Sequence, residues 1–197
     1  MQTIILASQS PRRQELIRHI TDDFEVIVSP VEEILPEGIA PEDAPVYLAA
    51  LKAGAVASTH PDRIVIGADT VVIHDGEIMG KPRDREDAAR MLRLLSGSVH
   101  TVVTGCCIIQ SGRQRRFSQR TEVRFYELTD REIADYIATG EPMDKAGAYG
   151  IQEKGSLFVE GIAGDYFNVM GLPVARLNRE LNAMLHEDEA IKEEMTV

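Results

Sequence analysis

Three features of the sequence predict an α/β fold built on a mixed sheet. Short β-branched runs alternate along the chain with amphipathic segments of helical period, the order expected when helices cover a sheet. In "IVIGADTVVIHDGEIM", Asp-Gly stands between two strand-like runs, a strong hairpin signal and so a source of antiparallel pairing. The stretch "VVTGCCIIQSGRQRRFSQRTEVRF" repeats the pattern about a turn at Ser111-Gly112. The 197 residues suit one domain, and a hydrophobic content of 44% is enough for a substantial core.

Each element has its own local reason. "TIILA" reads as a short buried strand and "QELIRHI" as the start of a helix. Ser10 is placed to cap that helix, and Pro11 takes its first position, where a missing N–H costs nothing. "FEVIVSPVEEI" is a strand running into an acidic loop. "PEDAPVYLAALKAGAVAST" is helical, with proline and acids at its start and an apolar stripe expected through Tyr47, Leu51 and Ala55. "DREDAARMLRLLSG" turns Met91, Leu92 and Leu95 inward and stops at Gly97. Two or three strands follow over residues 99–128. "TDREIADYIATG" has the capping box Thr129/Glu132 and ends on Gly140. After a glycine-rich stretch, "LPVARLNRELNAML" closes the fold with Val174, Leu177, Leu181 and Leu185 inward. This gives a domain over residues 1–186 and an acidic tail, frayed or solvated, over 187–197.

A net charge of −11 argues against a nucleic-acid binder, which needs a basic face. No run approaches the roughly 20 apolar residues that span a bilayer. The start of the chain lacks the early basic region of a signal peptide, so a cytoplasmic protein without membrane attachment is expected. Cys106 and Cys107 are strand neighbours that point to opposite faces, and are expected as reduced, buried thiols.

Chemistry is expected where residues break the rules of their elements. Arg12 and Arg13 stand in the first helical turn, where the macrodipole prefers carboxylates; a bound anion would reverse that cost. With the hydroxyls of Ser8 and Ser10 they form a donor cluster suited to a small phosphorylated ligand, a solvated helix start being the competing reading. Asp69 is a carboxylate inside a Val/Ile run, costly unless bonded, metal-bound or at a cleft edge. A partly desolvated carboxylate also suits a general base; an Asp that closes its strand on a nearby turn is the alternative. The glycine before it suggests close approach of something to the backbone. Lys52, Lys81 and Lys145 follow turns and read either as phosphate ligands or as surface lysines. "DKAGAYGIQEKG" is a weak phosphate-loop signal, although Gln152 could read a base edge. Glu32 and Glu33 with Asp69 offer oxygen ligands of the kind that Mg²⁺ or Mn²⁺ takes; for Glu33 a solvated acidic loop competes.

"LASQSPRRQELI", "GADTVV", "GKP", "AARMLRLLSGSVHTVVTG", "DKAGAYGIQ" and "GDYFNVMGLPVARL", in this order between about residues 4 and 180, resemble the Maf family of nucleoside triphosphate pyrophosphatases. The resemblance implies an elongated mixed sheet with flanking helices, in two lobes around a deep cleft, similar to inosine triphosphate pyrophosphatases. It also implies a homodimer that hydrolyses dTTP and UTP, and modified pyrimidine triphosphates with them, to monophosphate and pyrophosphate with Mg²⁺ or Mn²⁺. Carried over residue by residue, it makes Asp69 the proton acceptor and, with Glu32, a metal ligand. Ser8, Arg13, Lys52 and Lys81 fall at the phosphates, and Arg12, Thr70 and Gln152 where base preference is set. Two other functions stay open: a nucleotide-sensing regulator of cell division without turnover, and a pyrophosphatase of purine or 7-methylguanine triphosphates. Asp69 weighs against the first, and a panel of triphosphates separates all three.

Overall fold

The computed structural model describes residues 3–194. Strands β1 (Ile4–Leu6), β2 (Phe24–Val26), β3 (Ile64–His74), β4 (Glu77–Met79), β5 (Val99–Gln110), β6 (Arg113–Phe125) and β7 (Val159–Ala163) form one sheet in the order β2-β1-β3-β5-β6-β7, with β4 paired to β3 off that path. β1 runs parallel to β2 and β3, and every other pairing is antiparallel, so the sheet is mixed as the sequence predicts. The two hairpins turn where expected: Asp75 and Gly76 have φ of 50° and 79°, Ser111 and Gly112 48° and 79°. Two positive φ values in succession match the right-handed twist of the flanking strands.

Helices α1 (Pro11–Ile17), α2 (Ala44–Ala57), α3 (Arg85–Leu95), α4 (Asp130–Ala138), α5 (Tyr166–Met170) and α6 (Val174–Glu194) flank the sheet. Strand alternation sends Ile64, Ile66 and Cys106 into the main core with Leu92, Ile133 and Leu177, and sends Val65 and Cys107 to a smaller cluster under α2. The adjacent cysteines are free and buried on opposite faces, as their spacing requires. Thr129 and Glu132 form their capping box on α4. Ser10 is the N-cap of α1, but its side chain makes no capping bond. Met184 is buried and Leu185 partly buried on α6, whose backbone continues to Glu194, through most of the segment read from the sequence as a tail. Residues 195–197 of that segment lie outside the described residues.

The stripe expected on α2 is corrected. Its buried residues are Ala44, Pro45, Leu48, Ala49, Ala53 and Val56, whereas Tyr47 is 36% exposed. Size explains the change of face. A Cβ on Gly67 would stand 2.2 Å from the Ala49 carbonyl oxygen, and one on Gly105 would stand 2.2 Å from the Val46 nitrogen. Helix backbone rests directly on strand backbone here, and only small side chains fit between them. The close approach inferred beside Asp69 is thus made by α2.

Pairing on β3 creates an opening. β5 lines one edge of β3 from Val65 to Ile73. The other edge holds β1 at Ile64–Ile66 and β4 only from Val72. Between them, residues 67–71 of β3 have no strand neighbour on that edge among the described residues. Asp69 and Thr70 lie in this gap.

Candidate functional site

A cleft of about 870 Å³ opens along the gap, lined by Ser8, Arg12, Arg13, Glu33, Lys52, Asp69, Thr70, Lys81, Lys145, Gln152 and Gly171 among others. Side chains alternate along β3. Asp69 therefore faces α2, while Thr70 faces α1.

On the α2 side Lys52 lies between two carboxylates. Its Nζ is 2.7 Å from Asp69 Oδ1 and 2.9 Å from Glu33 Oε2, and the Lys52 and Asp69 side chains are each only 12% exposed. Asp69 Oδ2 has no hydrogen-bond partner among the described residues. Glu33 reaches this place through a three-residue turn, Ile34 N–H to the Glu32 carbonyl at 3.0 Å. Glu32 itself is exposed and outside the cleft lining. The acid beside Asp69 is Glu33, not the Glu32 taken from the resemblance.

On the α1 side the two first-turn arginines part: Arg13 is held inside the protein, and Arg12 is partly exposed. Arg13 donates from Nε to the Gly171 carbonyl (2.8 Å), from Nη1 to Ser8 Oγ (3.2 Å) and from Nη2 to Thr70 Oγ1 (2.9 Å). Gly171 closes α5 with φ of 114°, a conformation that favours glycine, and so turns its carbonyl to Arg13. Burial pushes the Arg13 guanidinium below its ordinary pKa, and the charge of Asp69 opposes that shift. Ser8 is buried and its oxygen accepts from both Arg13 and the Ser10 N–H (3.3 Å). With both lone pairs engaged, its own proton is left for a ligand. Arg12 stands at the mouth, 3.4 Å from Asp144, which also holds Lys145 at 2.8 Å. Lys81 and Gln152 are exposed on the lining, and Lys81 has no ion-pair partner among the described residues.

The glycine-rich stretch is fastened by groups that the sequence did not single out. Glu141 accepts from the Tyr136 hydroxyl (2.8 Å) and from the N–H groups of Lys154 (3.2 Å) and Gly155 (3.3 Å). The Gly150 N–H donates to Tyr136 (3.1 Å), and the Gly147 N–H to the Gly80 carbonyl (3.1 Å). These bonds hold Tyr149 to Gln152 on the cleft wall. Behind Thr70 lie two further groups missed in the sequence, the buried Thr104 and Asn168. Asn168 had one visible signal, an amide inside the apolar run "YFNVMGL".

Asp69 and Glu33 both bind the Lys52 ammonium, and their carboxylate oxygens are of the donor type that a small hard cation takes. Among the described residues no group of three or more His, Cys, Asp or Glu side chains is disposed to hold a metal. Substrate phosphates would have to complete such a site, as is usual for Mg²⁺. No helix among the described residues is long and apolar enough to cross a membrane.

Residues 3–184 match the family described as Maf-like protein. The chain is 54% identical over 181 residues to the dTTP/UTP pyrophosphatase of Bacillus cytotoxicus, covering 92% of this chain and 95% of that relative. It is 51% identical over 184 residues to the dTTP/UTP pyrophosphatase of Geobacillus sp. (strain WCH70), covering 93% and 99%. Among solved structures, a HAM1 protein from Coxiella burnetii shares the fold, with a TM-score of 0.51 at 14% identity over 93% of this chain and 100% of that one.

Proposed function

The chain belongs to the Maf-like protein family, and from that premise we propose that it hydrolyses dTTP and UTP to dTMP or UMP and pyrophosphate. The observation that carries this reading is a carboxylate, Asp69, set among cationic and hydroxyl donors in one cleft. Asp69 keeps an oxygen without a partner among the described residues, and Ser8, Arg13 and Lys81 line the same cleft. The reading extends to a cytoplasmic homodimer, and to modified pyrimidine triphosphates as further substrates.

In this mechanism the triphosphate lies along the gap in β3. Lys52 fixes Asp69 through Oδ1, so that Oδ2 is free to orient a water and take its proton. The water oxygen bonds to the α-phosphorus, the bond to the bridging oxygen breaks, and pyrophosphate leaves with the electron pair. Ser8 donates its remaining proton to a phosphate oxygen, and Arg13, Lys52 and Lys81 offset the charge that gathers on the departing group. Asp69 and Glu33 are the residues that would hold a divalent cation, Mg²⁺ or Mn²⁺. Bound there, it would supply Lewis-acid polarisation of the phosphate and neutralise its charge. Arg12, Thr70 and Gln152 line the same cleft and are assigned to the base.

The test is kcat/KM for dTTP, UTP, CTP, ATP and GTP with Mg²⁺ or Mn²⁺, read by pyrophosphate release. dTTP and UTP should lead the panel. A purine triphosphate in first place, or release of single phosphates, defeats the reading.

A further inference from the structure

A line of hydroxyl and amide groups runs from the cleft through the sheet, and every proton along it can be assigned. At the far end the Thr121 hydroxyl donates to the Asp165 carbonyl (3.0 Å) and accepts from Asn168 Nδ2 (2.9 Å). The same amide donates to the Val102 carbonyl (3.1 Å), and its Oδ1 accepts from the Thr104 N–H (3.1 Å). Its orientation is therefore fixed. The Thr104 hydroxyl donates to the Asn168 carbonyl (2.9 Å), a group with no proton to give. A threonine hydroxyl has one proton, so Thr104 Oγ1 can only accept from Thr70 Oγ1, 2.9 Å away. Arg13 Nη2 also donates to Thr70 at 2.9 Å. Thr70 lines the cleft, and with its proton committed inward it offers the cleft a lone pair only.

Resting on the pyrimidine reading above, we propose that Thr104 is a positioning residue that sets base preference without touching the nucleotide. By taking the Thr70 proton it leaves Thr70 as an acceptor for the ring N3–H of uracil or thymine. Cytosine carries a lone pair at N3, and two acceptors brought together repel. Selection against cytosine thus originates one residue deeper than the cleft wall, at a fully buried hydroxyl. It is anchored in turn by a backbone carbonyl whose hydrogen-bonding polarity cannot reverse.

The experiment is the UTP-to-CTP ratio of kcat/KM in the wild type, in Thr104→Val and in Thr104→Ser. Valine keeps the shape and removes the acceptor, so the Thr70 proton can turn outward and meet cytosine N3. The ratio should fall about tenfold in Thr104→Val, the scale of one hydrogen bond, and return in Thr104→Ser. General damage to the strand would lower both substrates together and leave the ratio alone. A ratio in Thr104→Val equal to that of the wild type overturns the proposal, as does a Thr104→Ser ratio that falls equally far. If the wild type itself does not prefer UTP, the pyrimidine reading fails and takes this inference with it; a strong wild-type preference unmoved by Thr104→Val defeats the inference alone. Neutron diffraction from deuterated wild-type crystals gives a check that needs no variant. The Thr70 deuteron should lie toward Thr104 Oγ1, and a deuteron directed into the cleft refutes the assignment.

Discussion

Asp69 combines two requirements that seldom coincide: it is held rigidly, and one of its oxygens is left over. The 2.7 Å bond from Lys52 to Oδ1 supplies the first, and the open cleft that Asp69 lines supplies the second. Asp69→Asn should therefore preserve the fold and the affinity for a non-hydrolysable analogue, while turnover falls roughly a hundredfold or more. Calorimetric titration and saturating kinetics on the same preparation check this, and near-wild-type turnover would remove Asp69 from the mechanism. This residue was legible in the sequence because a carboxylate in a Val/Ile run is locally costly. Glu33 was not separable from Glu32, because the choice rests on one turn bond that no pattern encodes. Thr104 was invisible for another reason. Threonine is an ordinary strand former, and its partners Thr70 and Asn168 lie 34 and 64 residues away in the chain.

At the scale of elements, the hairpins, the Thr129/Glu132 capping box and most helix faces were legible because their signals are local. Helix α2 was not, since its inward face is chosen by the glycines of strands that follow it in sequence. Hydrophobic period alone favoured the larger side chains Tyr47 and Leu51, but the sheet surface at Gly67 and Gly105 admits only alanine-sized contacts. Two substitutions to the same residue should accordingly differ in sign. Gly105→Ala places a methyl group against the backbone at Pro45 and Val46, which cannot yield without moving the helix, and should destabilise by about 3 kcal/mol. Gly54→Ala, within α2 and with nothing near the added methyl group, should stabilise by about 0.5–1 kcal/mol through helix propensity. Urea unfolding of both variants decides. Equal effects would mean that α2 does not rest on the sheet as described. Because α2 also carries Lys52, Gly105→Ala should lower turnover as well as stability.

The molecule as a whole couples its core to the cleft wall through one buried imidazole. His100 on β5 is 2% exposed, places Nε2 2.8 Å from the Tyr149 hydroxyl and packs edge-on against the Phe125 and Tyr149 rings. Tyr149 lines the cleft, and Phe125 belongs to the main core. Burial, with a smaller contribution from His74, pushes the His100 pKa down from 6.5 to about 3. The unfolded chain accepts a proton at this imidazole once the pH falls below about 6.5, whereas the native form resists until about 3. Across that interval the unfolded state binds the extra proton, so stability is intact above about 6.5 and declines as the pH falls toward 3. Carboxylates also titrate in the lower part of the interval, which makes the limb between about pH 7 and 5 the diagnostic one. Urea unfolding in steps through that limb should give a falling free energy for the wild type. His100→Phe keeps an aromatic ring among its neighbours and removes the titrating group, so its curve should be flatter, at some overall cost from the Tyr149 hydroxyl left without its partner. Parallel curves for the two proteins would assign the acid sensitivity to other groups and leave His100 as packing alone.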